Sequence, residues 1–310
     1  MTTPLEKRIT GLKVPPGQQI DLRKEYDLGC TDHFLSKEDA QGQLETGIQN
    51  LAEQQVKLYA QNTYALLIIL QAMDAAGKDS TIKHVMSGVN PQGVVVKSFR
   101  VPSEEELDHD YLRRNFLELP NRGNIGIFNR SYYEEVLVVR IHPEFLDRQH
   151  LPPQLKGRDI WERRYEEINN FEKYLTDNGI VVLKFFLNIS KETQRKRFLE
   201  RVDQPDKNWK FSAADILERR YWESYMDSYE EMFNHTSTSW APWYIIPADH
   251  KWFTRLAVVS VINSTLEGLK LAYPEVSPEQ KEALIKAKEE MEQEEDGPVR
   301  LSPKKKKKNQ

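Results

Sequence analysis

The sequence predicts an α/β fold in which a parallel central sheet is covered by helices on both faces. Continuous apolar runs carry this prediction: Leu66–Leu70 (LLIIL), Gly123–Phe128 (GNIGIF) and Ile180–Leu187 (IVVLKFFL) read as strands buried on both sides. Segments of helical periodicity alternate with them, and such alternation calls for crossover connections and parallel pairing. A third observation is that the first run breaks at once into a small-residue turn, AMDAAGKDST at 72–81.

The elements follow in order. Residues 1–35 are rich in Pro, Gly and charge and are expected to form a wrapping arm rather than part of the central sheet. A helix is expected from Ser36 to about Gln61, with Glu38 and Asp39 in its first turn and Leu44, Ile48, Leu51 and Leu58 at 3.6-residue spacing. After the first strand and its turn come helix Ser80–Val89, strand Gly93–Val101, helix Glu104–Leu119 and strand Gly123–Phe128. Helix Asp159–Asn178 precedes strand Ile180–Leu187, and helices Lys191–Val202 and Ser212–Phe233 follow it. The last strand, Trp243–Pro247, leads into helix Trp252–Tyr273. Trp240 and Trp243 are expected in the core, since large aromatics mostly serve packing.

From residue 274 the chain becomes a charged tail. Six of the eight residues from Glu289 to Asp296 are acidic, and five lysines run from Lys304 to Lys308. Such blocks stay solvated and disordered. The lysine run either solubilises the tail or holds an anionic polymer. The expected organisation is an arm (1–35), one kinase-sized domain (36–273) and a disordered tail (274–310).

A chain of 310 residues with 39% hydrophobic content can bury a substantial core. Its net charge of −4 argues against a protein built as a nucleic-acid binder, so no nucleic-acid partner is expected. The single cysteine, Cys30, excludes an internal disulfide, and the N-terminal residues lack the apolar core of a secretory signal. A cytoplasmic location is therefore expected. No apolar stretch approaches the roughly 18 residues needed to cross a bilayer, so no membrane partner is expected. The seven histidines are scattered, and none pairs with another His or a Cys at zinc-site spacing.

The chemistry is concentrated at Leu66–Thr81, LLIILQAMDAAGKDST. A buried strand that feeds a small-residue turn and then a helix brings unpaired backbone N–H groups and one lysine to converge on phosphate oxygens. Ala72 stands where the first glycine of a phosphate loop is usual, and Asp79 stands where Ser or Thr would follow the lysine. On these residues alone, a tight strand-to-helix turn with an exposed lysine is the competing account.

Three further segments accompany the loop. One is Lys97-Ser98-Phe99-Arg100-Val101-Pro102 with Tyr111-Leu112-Arg113-Arg114; the second is Ile127-Phe128-Asn129-Arg130-Ser131-Tyr132-Tyr133-Glu134. The third runs from Arg195-Lys196-Arg197 and Arg201 through Asp206–Lys210 to Arg219-Arg220. Together, over about Leu22–Leu271, these segments resemble the polyphosphate kinase 2 family, and its single-domain class III members in particular. The family's GxDxxGK loop corresponds to Ala72–Lys78.

The resemblance implies a three-layer P-loop kinase fold, shared with nucleoside monophosphate kinases, with a helical lid at about 195–222. It implies catalytic roles for Asp74, Lys78, Asn129 and Arg130. Phosphate and polyphosphate would be held by Ala75, Ala76, Gly77, Lys78, Asp79 and Ser80, and further by Lys97, Arg114, Arg197, Arg201, Lys207 and Lys210. Arg130, Ser131 and Glu134 would contact the nucleotide. The implied cofactor is Mg2+, with Mn2+ as a substitute, bound through Asp74, a hard oxygen donor. Asn129 replaces the usual acid of an Asp-Arg-Ser motif, which shifts coordination towards Asp74, water and phosphate oxygens. Taken alone, Arg130 and Glu134 could be an ordinary surface ion pair.

The implied activity is reversible transfer of a terminal phosphoryl group from inorganic polyphosphate to nucleoside mono- or diphosphates (AMP/ADP, GMP/GDP), by a homo-oligomer, dimer or tetramer. Two alternatives stand beside it. One is a nucleoside monophosphate kinase using ATP, which shares the core and lid. The other is a non-catalytic polyanion- or RNA-binding protein working through the lysine tail.

Overall fold

A computed structural model describes residues 10–31, 36–210 and 212–293. The chain divides into one unit spanning Met1–Ala272 and another spanning Tyr273–Gln310. In the first unit, five parallel strands form one sheet in the order β2-β3-β1-β4-β5. They are β1 (Ala65–Gln71), β2 (Val94–Ser98), β3 (Ile125–Asn129), β4 (Ile180–Asn188) and β5 (Trp243–Pro247). The central position of β1 explains its unbroken apolar run, because every one of its residues is buried.

Helices cover both faces of the sheet. The principal ones are α1 (Lys37–Gln61), α2 (Lys78–Val85), α3 (Ile160–Asp177) and α4 (Lys191–Asp203), then α5 (Ala213–Glu218), α6 (Trp222–Thr236) and α7 (Lys251–Gly268). α7 packs against α1, α2 and β5 and is buried along most of its length, whereas α3 packs on β4 and α6. At the β5 edge, the Val14 N–H donates to the Trp243 carbonyl at 2.9 Å and Lys13 forms an antiparallel bridge with Tyr244. Leu12, Val14, Ile20 and Leu22 of the arm are buried. The arm therefore covers a sheet edge that would otherwise present unpaired backbone groups.

Several expected elements differ. Helix 104–119 is two short helical turns, Glu104–Leu107 and Arg113–Phe116. A capping box between Ser103 and Glu106 starts the first, and the Asp110 carboxylate then accepts from the Leu112 N–H at 2.9 Å. That local bond competes with a continuing helix. Helix 212–233 is α5, a 3-10 turn at Arg219–Tyr221, and α6. Strand 93–101 shortens to β2, a half-exposed edge.

The disorder expected of the tail is corrected at Pro278–Gln293, which form a fully exposed helix, α8. The Ser277 hydroxyl accepts from the Gln280 N–H at 3.2 Å, and the Gln280 side chain returns a bond to the Ser277 N–H at 3.0 Å. This reciprocal cap nucleates the helix. Lys304–Lys308 lie outside the described residues.

Against the middle of the sheet lies a buried ion pair. Lys184 in β4 and Glu172 in α3 have no exposed side-chain surface, and their charged atoms are 2.6 Å apart. Lys184 Nζ also donates to Tyr133 Oη at 2.8 Å and to the Thr236 carbonyl at 2.7 Å. Glu172 Oε1 accepts from the hydroxyls of Tyr132 and Tyr133 at 2.9 and 2.8 Å. Burial pushes the Lys184 ammonium down and the Glu172 carboxyl up, and their mutual contact opposes both shifts.

Removing one partner leaves an unpaired polar group in a dry site, whereas removing both leaves a packable apolar one. Lys184→Met or Glu172→Leu alone should therefore lower the unfolding free energy by about 3–5 kcal/mol, and the double variant should recover most of that loss. Urea titration of the three proteins measures it.

Candidate active site

The turn after β1 and the end of β3 meet through strained backbone. Ala75 and Arg130 both occupy the left-handed region, at φ 61° and 64°, and Gly77 reaches 110°. Pairing of β1 with β3 sets Leu70 beside Asn129, and the Arg130 N–H then donates to the Leu70 carbonyl at 3.0 Å. This register brings Arg130 Nη2 to 2.9 Å from Asp74 Oδ1. Non-glycine residues in this conformation persist where the surroundings over-determine them, as at ligand clamps.

Lys78 opens α2, and its Nζ donates to the Ala72 carbonyl at 2.8 Å, so the ammonium folds over the hollow of the turn. Burial, then the nearby Arg130 charge, lower its pKa to about 8. Glu134 and then Asp74 raise that of Arg130, against its own burial. Asp79 Oδ1 accepts from Asn129 Nδ2 at 2.7 Å, and Ser80 Oγ accepts from Arg255 at 2.9 Å.

Asp74, Asp79 and Asn129 line one cavity and offer it hard oxygen atoms. No group of three or more His, Cys, Asp or Glu residues among those described could cage a metal alone. Two carboxylates and an amide oxygen suit a hard divalent cation that completes its shell with water and substrate phosphates.

Two cavities meet at Arg130, which lines both. The loop cavity is bordered by Lys78, Arg201, Lys207, Asp215 and Lys251. The second is walled by Phe99, Arg114, Glu134, Val138 and Phe145, with Ser131 at its rim. Arg114 stands 5.2 Å over the Phe99 ring and 3.2 Å from Glu106, and burial lowers its pKa. Glu134 accepts from the buried Gln71 at 3.1 Å. The first cavity suits polyanions. The second combines apolar walls with a few charged groups, as small-molecule pockets do.

Other expected residues stand elsewhere or act differently. Arg197 is buried, and its guanidinium donates to the carbonyls of Ala75, Ala76, Ala248 and Asp249. It thus braces the loop against the β5 end. Lys97 pairs with Glu118 and lines neither cavity. Arg201 lies 3.9 Å from Asp215. The side chain of Lys210 lies outside the described residues.

Trp243 is fully buried as expected, but Trp240 is 38% exposed with Lys173 6.0 Å from its ring. Sequence reasoning gave no role to Gln194, Lys251 or Arg255. Gln194 donates to the Asp74 carbonyl at 2.9 Å and accepts from Arg219 at 2.6 Å, linking the 3-10 turn at Arg219–Tyr221 to the loop. Each is a single polar residue on a helix, without a local motif to mark it.

The geometry can be set beside known proteins. The family model for polyphosphate kinase 2 matches residues 34–273. The chain is 49% identical over 280 residues to an ADP-polyphosphate phosphotransferase of Rhodopseudomonas palustris, covering 90% of this chain and 96% of that protein. It is 44% identical over 264 residues to an AMP/ADP-polyphosphate phosphotransferase of Meiothermus ruber, covering 85% and 94%. The crystal structure of polyphosphate kinase 2 from Arthrobacter aurescens superposes with a TM-score of 0.80 at 38% identity, covering 90% of this chain and 96% of that one. With its loop, Arg130 clamp and parallel sheet in place, this chain belongs to the polyphosphate kinase 2 family.

Proposed function

We propose that the protein transfers the terminal phosphoryl group of inorganic polyphosphate to a nucleoside mono- or diphosphate, reversibly. The observation that carries this reading is the place of Arg130 at the junction of a polyanion cavity and an apolar-walled one. An oxygen of the acceptor's phosphate attacks the terminal phosphorus of the donor. The P–O bond to the rest of the donor breaks, leaving a chain one phosphate shorter. The attacking oxygen is already anionic, so the reaction needs no general base, and catalysis is alignment plus charge neutralisation.

Lys78 leaves the Ala72 carbonyl for a donor phosphate, while Arg130 follows the moving phosphoryl group. Mg2+, when bound, would neutralise phosphate charge, with Asp74 as its main protein ligand and Asp79 and Asn129 close by. The relatives' names mention ADP and AMP/ADP, which supports diphosphate and monophosphate acceptors for this chain. No helix among the described residues is long and apolar enough to cross a membrane.

Chromatography after incubation with polyphosphate, Mg2+ and AMP, ADP, GMP or GDP tests the reaction. New di- or triphosphate without added ATP is expected. Product formed only when ATP is the donor would establish the monophosphate-kinase alternative. Lys78→Ala should lower kcat by about a hundredfold or more, as loss of a transition-state charge does, with little change in melting temperature.

The pH dependence follows from the free protein. The Lys78 cation is lost as pH rises through about 8, so kcat/KM for polyphosphate should fall above that pH. Bound phosphate stabilises the cation, so the limb in kcat should lie at higher pH. Lys78→Arg, which keeps its charge, should flatten the limb in kcat/KM.

A further inference from the structure

Among the described residues, the buried polar side chains that line the apolar-walled cavity are Asn115, Ser131 and Glu135, with the buried Tyr132 hydroxyl beside them. All but Asn115 are engaged by the protein. Ser131 Oγ accepts from the Tyr133 N–H at 3.2 Å, Tyr132 Oη donates to Glu172 at 2.9 Å, and Glu135 accepts from Gln149 at 2.8 Å and from Arg164 at 3.1 Å. Asn115 is 1% exposed, and its backbone N–H and carbonyl are bonded to Leu112 and Glu118 around the turn Arg113–Phe116. Its side-chain Nδ2 has no hydrogen-bond partner among the described residues. Burying an amide nitrogen without an acceptor costs stability, so such a group in the wall of a cavity calls for a ligand.

We propose that Asn115 hydrogen-bonds the base of the acceptor nucleotide and reads the polar group at C6 of a purine. Arg130 and Phe99 line both cavities, whereas Asn115, Val138 and Phe145 line this one alone. An acceptor whose phosphate is held at Arg130 therefore sends its base between the apolar walls, away from the phosphate loop. In a purine nucleotide the edge farthest from the sugar carries C6 and its amino or oxo group. A carboxamide can meet either one, because a half-turn of the side chain exchanges its N–H for its oxygen. The oxygen accepts from the amino group of adenine, and Nδ2 donates to the oxo group of guanine. A base with nothing polar at C6 leaves the buried amide unpaired and is disfavoured. This inference rests on the acceptor role proposed above for the cavity.

Equilibrium binding to the full chain, without polyphosphate, tests it with ADP, GDP and purine riboside 5′-diphosphate, which has only hydrogen at C6. The wild type should bind ADP and GDP about tenfold more tightly than the purine riboside nucleotide. Asn115→Leu, which keeps the volume and removes the amide, should bring all of them to the weaker value. The melting temperature of the free variant should equal or exceed that of the wild type, because an unpaired buried amide is lost. In turnover, the variant's KM for ADP should rise about tenfold while its KM for polyphosphate changes less than about twofold.

Equal wild-type affinities for the nucleotides with and without a C6 group would overturn the contact, as would a uniform loss in Asn115→Leu that keeps the preference in place. A lower melting temperature in the variant would make the amide part of the fold and overturn the contact as well. The expected binding pattern without any phosphoryl transfer from polyphosphate would overturn the proposed function and leave the base contact standing.

Discussion

A lysine in the middle of a parallel sheet is tolerable only when each of its protons has an acceptor. Lys184 meets that condition through Glu172, Tyr133 and the Thr236 carbonyl. The consequence reaches the active site because two of the groups bound to the pair are Tyr132 and Tyr133, directly after Arg130-Ser131. With both hydroxyls tied to Glu172, the 3-10 turn at Tyr132–Val136 cannot slide along the sheet, and Arg130 is held in its left-handed conformation. Buried ionic groups confer little net stability over apolar replacements, but their geometric demands are strict. Here those demands fall on the segment that must not move.

The phosphate loop is braced in a comparable way from its other side. Arg197 supplies four hydrogen bonds to backbone carbonyls, two in the loop and two after β5. With the Ala75 and Ala76 carbonyls engaged by a guanidinium, their oxygens repel an anion at the loop less. Arg197 thus supports phosphate binding indirectly, by orienting the loop. Gln194, one helical turn earlier, holds the Asp74 carbonyl, so α4 grips three successive carbonyls of the loop.

Much of this architecture was legible in the chain. Buried parallel strands require continuous apolar runs, and β1, β3 and β4 have them; a phosphate turn requires small residues before a lysine, and 72–78 has them. What escaped depends on where a side chain's bonds are used. Arg197 and Arg201 both line the cavity from one helix, yet only the first is buried with its guanidinium spent on four backbone carbonyls. Lys97 carries the charge expected of a phosphate ligand, but on an edge strand it meets Glu118 first. The break at Asp110 turned on one carboxylate choosing a local N–H. The helix in the tail did carry a signal, Ser277 three residues before Gln280, masked by the charge that follows it.

A kinase that uses polyphosphate must prevent water from accepting the phosphoryl group. In this structure Lys78 rests on the Ala72 carbonyl and Arg219 rests on Gln194 and the Lys191 carbonyl, so cations that donor phosphate could recruit are parked on protein oxygens. Neutral carbonyls and amides are weaker partners for these cations than phosphate, because hydrogen bonds between two charged groups are stronger. Donor binding would on the proposed reading draw Lys78 inward, and a shift of Arg219 would be felt at Asp74 through Gln194. Closure over the donor and completion of the loop would then be driven by the same anion. The site assembles when the donor is present, and water alone supplies no charge to assemble it.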